Sequence, residues 1–279
     1  MRDRITRADR PEWAGGKQYH IELKPGDIPG FVLLPGDPGR IDVIASLWNN
    51  VEEVAYHRQY RTIRGTYKGV EIAATSTGIG GPATEIALIE LIKVGAHTFI
   101  RVGSTGAIHP EIRPGDLIIS VAAMRLEGAS KAYAPIEYPA VASLDVTQAL
   151  ILAADSLGYR YFVGITASTD SFYAGQERPS INEYLPRWQR GLIEDLRKLN
   201  VLNFEMEAAT LFTLASIFNV RAGCVSAVFA NRITNEFEVK GEKEASKVAS
   251  EAVKILYEWD EERKKLGKNR YWIPIGEKK

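Results

Sequence analysis

The chain has 279 residues, 45% apolar and 25% charged, close to average soluble usage, which excludes a disordered or collagen-like polymer and supplies a buried core. Lys plus Arg number 35 against 35 Asp plus Glu, so no overall field draws in nucleic acid or an anionic membrane, and any anion must be met by a local cluster of cations. A single cysteine, Cys224, excludes an intrachain disulfide and a Cys-based zinc site, and suits a reducing cytoplasm.

In chain order, the charged N-terminus "MRDRITRADRPEWAGGKQYH" has no apolar core of a signal peptide, and no apolar span is long enough to cross a bilayer, so neither export nor membrane insertion is expected. "FVLLP" (31–35) predicts a buried strand, and "PGRIDVIASLW" (38–48) a helix. "EIAATSTG" (71–78) predicts the next strand, followed by a helix over 82–95 with Pro82 in its first turn and Gly95 closing it. Strands are expected at 97–104 and 116–123, a helix at 146–158 closed by Gly158, then strands at 161–169 and 201–207. A helix over 207–218, a strand over 222–231 and a long charged helix over 242–266 complete the pattern. These apolar runs are too continuous for a sheet with one wet face, and their alternation with helices predicts an α/β layered domain with a mostly parallel or mixed sheet.

One domain is expected over 1–279, with a core at about 19–266, an N-terminal extension over 1–18 and a C-terminal tail over 267–279 whose Tyr271 and Trp272 suggest docking. Segments 125–145 and 172–190 carry Gly, Pro, Tyr and charge without periodicity, and are expected to be functional loops. The many Glu–Lys pairs of 242–266 read as a solvated face.

Three glycine-rich turns follow strands. "GIGGPA" (78–83) matches a dinucleotide fingerprint, but the acid expected about 20 residues on is missing and Arg101 stands there instead. "PGDPGR" (35–40) lacks the Lys-Ser/Thr of a P-loop; its amides and Arg40 could hold a small anion, although a tight turn with an exposed arginine accounts better for the motif alone. In "RVGSTGAI" (101–108), Arg101 lies inside an apolar strand, where a permanent charge needs an anion or a carboxylate beside it. Glu205 and Glu207 flank Met206 at the edge of another apolar run. As alternate residues of an extended chain they would point together out of a strand end; as acids at a helix N-terminus they would complement its dipole.

"PGDPGR", "HRQYRT", "STGIGGPATEIA", "FIRVGSTGAI", "DSFYAGQER", "NFEMEAATLF" and the "NR" of "FANR" together resemble the uridine phosphorylase branch of the nucleoside phosphorylase superfamily, from about Tyr19 to about Trp259. The resemblance implies a single-domain, three-layer α/β fold with a central mixed sheet flanked by helices. It implies phosphate-dependent cleavage of the N-glycosidic bond of uridine and related pyrimidine nucleosides, giving uracil and ribose 1-phosphate. Inorganic phosphate is the co-substrate and no cofactor is expected.

By motif, the phosphate site is Gly36, Arg40, Arg101 and Ser104, the last standing where threonine is usual, completed by Arg58 from a neighbouring subunit. Glu207 accepts from the ribose 2′ and 3′ hydroxyls, Met206 packs on the sugar, Glu205 supports the base side and His20 reaches a neighbour's 5′ hydroxyl. Gln176 and Arg178 meet the base edge and neutralise charge arriving on it, and Phe172 offers a stacking face. Arg101, Arg178, Gln176 and Glu207 are therefore the expected catalytic residues: as the bond stretches, the sugar becomes oxocarbenium-like and the leaving pyrimidine anionic.

Departures from the family pattern bear on substrate. No acid lies between Ala227 and Arg232 to protonate a purine, which favours pyrimidine, but Phe229 and Ala230 replace two branched aliphatics and leave the base pocket's shape open. With His20, His57, His97 and His109 the only histidines and no H-E-x-x-H spacing, no metal site is expected. Gln59 and Ala83 stand where some relatives bind a monovalent cation through glutamate and serine, so none is expected here. The implied partners are a uridine-like nucleoside and phosphate, without nucleic acid or membrane, in a homo-oligomer resembling a hexamer built as a trimer of dimers. The rivals are a purine nucleoside phosphorylase acting on inosine or guanosine, a hydrolytic nucleosidase, and a non-catalytic nucleoside-binding protein.

Overall fold

Phe31–Pro35 is buried at all five positions, and Thr98–Ala107 and Arg221–Asn231 at nearly every one, so these strands need cover on both faces. The computed structural model, which describes residues 7–273, shows how it is supplied. Residues 1–6 and 274–279, the ends of the expected extension and tail, lie outside the described residues.

In order the elements are β1 (Glu12–Trp13), β2 (Lys17–Gln18), β3 (Phe31–Pro35), α1 (Arg40–Ala45), β4 (Asn49–His57), β5 (Tyr60–Tyr67), β6 (Val70–Thr75), α2 (Gly81–Lys93) and β7 (Thr98–Ala107). They continue with β8 (Leu117–Leu126), β9 (Ala140–Val141), α3 (Leu144–Leu157), β10 (Tyr161–Thr169), α4 (Leu192–Lys198), β11 (Val201–Glu205), α5 (Ala208–Ile217), β12 (Arg221–Asn231), β13 (Glu236–Phe237) and α6 (Glu242–Leu266). Ile41 and Ile44 of α1, Val146 and Leu150 of α3 and Val248 and Leu256 of α6 pack in one hydrophobic cluster, and Leu88 and Leu91 of α2 with Leu211 and Phe212 of α5 in a second. The single α/β domain with a mixed sheet between helical layers is thus present.

β3 lies parallel between β6 and β7, with β5 and β4 added antiparallel at the edge. Beyond β7 the sheet curls: β12 pairs with β7 and β8, β8 with β10, β10 with β11, and β11 returns antiparallel to β7 through Asn203↔Ala107 and Phe204↔Gly106. These five strands close on themselves, a ring that the alternation of elements did not indicate. A buried side-chain relay ties four of them: Ser120 Oγ lies 2.7 Å from Thr166 Oγ1, which donates to Asn203 Oδ1 (2.9 Å), whose Nδ2 donates to Thr105 Oγ1 (2.6 Å).

β4, β5 and α4 were not among the expected elements. β4 is an edge strand whose Glu52 and Glu53 pair with Arg64 and Arg61 of β5 at 2.7 and 2.6 Å, so cross-strand charge replaces apolar alternation. α4 is one short stretch supported by a Glu194–Lys198 pair, too brief to show a period. Trp272 and Ile273 of the described part of the tail dock near α6: Arg263 Nε donates to the Trp272 carbonyl (2.7 Å) and Ile273 packs against the α1/α3/α6 core. Among the described residues no helix is long and apolar enough to cross a membrane.

Candidate active site

Parallel strands β3, β7 and β12 end on one side, where the turns after them and the start of α5 surround a cavity of about 770 Å³. Gly36, Arg40, Arg101, Ser104, Phe172, Gln176, Arg178, Glu205, Met206, Glu207, Phe229 and Ala230 all line it. Residues from motifs far apart in the chain therefore share one wall.

Arg101 is 6% exposed. Its Nε donates to Glu205 Oε2 (2.9 Å) and its Nη2 contacts Glu207 Oε2. Burial pulls the guanidinium's pKa down, but Glu207 and Glu205 outweigh it and hold the group above the ordinary arginine range. Nη1 has no protein hydrogen-bond partner among the described residues and lies 3.9 Å from where a Cβ on Gly36 would sit. The donor left over faces the "PGDPGR" turn.

The two glutamates converge, though not as neighbours in an extended strand. β11 stops at Glu205, and Glu207 occupies the N-cap position of α5 at φ −138°, ψ −25° without a side-chain capping bond. Glu205 Oε2 also accepts from the Glu207 and Ala208 amides (both 2.9 Å), so it serves the helix N-terminus, while its Oε1 accepts from Ser168 Oγ. It makes no hydrogen bond to Gln176 or Arg178; its place is beside Arg101. Glu207 Oε1 accepts from the Gly80 amide (2.6 Å), so the donor of the "GIGGPA" turn meets a carboxylate of this chain. Burial pushes the Glu207 carboxyl up, opposed by Arg101 and reinforced by Glu205.

Arg40 is buried, with Nη1 donating to the Val102 carbonyl (3.0 Å) and Nε and Nη2 both donating to Glu242 Oε1 (3.1 and 2.6 Å). Glu242 carried no signal in the sequence beyond its position at a helix start. Around Arg40 and Arg101 this chain thus sets three carboxylates, Glu205, Glu207 and Glu242, against two guanidiniums.

A second set of cations has no such partners. Gln176 is buried; its Nε2 donates to Thr169 Oγ1 (3.2 Å) and its Oε1 accepts from Arg178 Nη1. Arg178 also donates to the Phe172 carbonyl (2.9 Å), and its guanidinium carbon lies 4.1 Å from the Phe172 ring centroid. Arg232 donates to the Gln176 and Glu177 carbonyls (2.7 and 3.2 Å). Burial and the like charge of Arg232 push Arg178 down to about 10, and burial lowers Arg232 as well. Among the described residues neither half-buried guanidinium has a carboxylate within ion-pair distance, an arrangement that can receive negative charge. The sequence signal for Arg232 is the "NR" of "FANR".

Arg58 and His20 do not line the cavity. Arg58 is exposed at φ 56°, its guanidinium carbon 5.6 Å from the Tyr19 ring centroid, and His20 Nδ1 lies 2.6 Å from Glu90 Oε1. His57 Nδ1 approaches the His20 carbonyl at 3.0 Å, so Arg58, His57 and His20 lie together apart from their own chain's pocket. Among the described residues no group of three or more His, Cys, Asp or Glu side chains is placed to hold a metal ion.

The family profile described as Phosphorylase superfamily matches residues 31–258. The chain belongs to the phosphorylase superfamily. Every cavity residue named above falls inside the matched span, and His20 falls outside it. Among superfamily relatives, the uridine phosphorylase of Thermococcus kodakarensis is 64% identical over 98% of this chain and 99% of its own length. That of Escherichia coli is 42% identical over 86% and 95% respectively, and a guanosine phosphorylase of Halorubrum lacusprofundi is 38% identical over 78% and 85%.

Proposed function

We propose that this chain is a uridine phosphorylase, a pentosyltransferase that cleaves uridine with inorganic phosphate to uracil and ribose 1-phosphate. The observation that carries it is one cavity lined by cations with different surroundings: Arg40 and Arg101 beside the Gly36 turn, and Arg178 beside the Gln176 amide, with Arg232 behind the lining on the Gln176 carbonyl. The names and identities of the relatives support the same reading.

In this scheme Arg40, Arg101, the Gly36 turn and Ser104 hold phosphate, one of whose oxygens attacks C1′. The C1′–N1 bond breaks with its electron pair leaving on the pyrimidine, and Gln176, Arg178 and Arg232 stabilise the resulting charge until a proton restores neutral uracil. Glu207 takes the ribose hydroxyls, Met206 packs on the sugar, Glu205 supports it by fixing Arg101 and the start of α5, and Phe172, Phe229 and Ala230 bound the base. Three carboxylates against two guanidiniums make a poor seat for a dianion, so a further cation is required. Arg58, exposed and outside its own cavity, supplies it to a neighbour, with His20 at the 5′ hydroxyl, in a cytoplasmic hexamer with shared sites.

A panel of uridine, thymidine and inosine, each with and without phosphate, tests this. Uridine should be preferred, yielding uracil and ribose 1-phosphate only with phosphate present; preference for inosine, or base release without phosphate, would overturn it. Gln176→Ala should raise KM for uridine about tenfold, the loss of one or two hydrogen bonds, with little change in KM for phosphate. Equal changes in both would remove Gln176 from the base.

A further inference from the structure

Arg40 reaches the cavity wall as the first residue of α1, and three of its nitrogens are engaged by the protein itself. Nη1 donates to the Val102 carbonyl at 3.0 Å, while Nε and Nη2 close on a single oxygen, Glu242 Oε1, at 3.1 and 2.6 Å. Of the five N–H groups of a guanidinium, this leaves one on each Nη for an anion. The carboxylate grips the Nε–Nη2 flank of the group, on the side away from its terminal Nη1–Nη2 edge.

Glu242 is held firmly. It is the first residue of α6, and Gly241 before it adopts φ 89° against the β12 strand and the 113–116 turn: a Cβ there would lie 3.2 Å from Ala227 Cβ and 3.2 Å from the Gly115 carbonyl oxygen. Its side chain, 29% exposed, borders the same cavity. A structural ion pair could have been made with Arg40 turned outward; here Arg40 is 5% exposed and the pair sits at the pocket wall.

We infer that Glu242 is a positioning residue for phosphate, acting through Arg40 by fixing the plane of its guanidinium so that the terminal edge addresses the anion. This rests on the proposed phosphorolysis. A long flexible side chain loses rotamer freedom on binding, and a carboxylate that has already ordered it removes that cost from the binding step.

The test is steady-state kinetics with phosphate and uridine varied independently, in the wild type, Glu242→Gln, Arg40→Ala and the double variant. Glu242→Gln should raise KM for phosphate about tenfold, the scale of a charge-assisted hydrogen bond, with KM for uridine within about twofold. In the Arg40→Ala background the same change should add less than about twofold, because its only route of action is gone. Glu242→Asp, which keeps the charge but shortens the reach, should also weaken phosphate and serves if the glutamine variant does not fold. An unchanged or lowered KM for phosphate, a parallel rise for uridine, or independent effects in the double variant would each overturn the inference. A wild type indifferent to phosphate would instead overturn the function itself.

Discussion

Arg101→Ala is expected to lower phosphate-dependent kcat/KM for uridine by at least ~100-fold, the scale seen when one donor to transition-state charge is removed. Two consequences combine. The free Nη1 donor beside the Gly36 turn disappears, and Glu205 and Glu207, which Arg101 joins through Nε and Nη2, are left as adjacent buried carboxylates. Removing one side of a buried pair costs about 3–5 kcal/mol, so a loss of stability should accompany the loss of rate. Thermal unfolding and kinetics on the same preparation check this: near-normal turnover would contradict the assigned role. Arg101→Lys should recover part of the stability and little of the rate, because a single ammonium cannot serve both glutamates and the anion.

Arg221→Ala should produce the largest loss of stability without a matching loss of activity. Arg221 opens β12, 8% exposed, and donates to Thr98 Oγ1 (2.9 Å), Asp145 Oδ2 (3.3 Å) and both oxygens of Asp260 (2.9 and 2.7 Å). Arg263 joins the same two aspartates, so two guanidiniums and two carboxylates bind α3, β12 and α6 together. Without Arg221 the set carries an uncompensated negative charge in the interior, at about 3–5 kcal/mol, with Asp260 at 22% exposure favouring the lower end. The unfolding midpoint should fall on the order of 10 °C for a chain of this size. None of these residues lines the cavity, and Phe229 lies roughly 26 Å further along the strand, so activity below the transition should stay near wild type. A shift of a degree or two would show that the network contributes little.

Much of the site was legible because its residues violate local expectation. Arg101 stands in an apolar strand, Glu205 and Glu207 precede a helix that is buried from Ala208 to Ala215, and the glycine turns interrupt strand and helix at fixed places. The helix over 242–266 was readable to the residue, since its capping glycines and charge pattern agree. The partners were not legible. Arg101 meets Glu205 across 104 residues, and Arg40 meets Glu242 across 202, separations over which no periodicity operates. Arg232 stood in the "NR" of "FANR", but its place beside Arg178 depends on tertiary packing, and β4 hid because an edge strand paired through charge has no apolar face to read. Closure of five strands into a ring depends on the two-residue pairing of β11 with β7, which leaves no pattern along the chain.

The most direct test of the account is a crystal structure of the protein with phosphate bound. The anion should lie between Arg40 and Arg101, bonded to the Arg101 Nη1 donor, the terminal edge of Arg40, the Gly36 turn and Ser104, with Arg58 of a neighbouring subunit closing the seat. Phosphate bound elsewhere, with Arg40 and Arg101 still directed only at Glu242, Glu205 and Glu207, would contradict it.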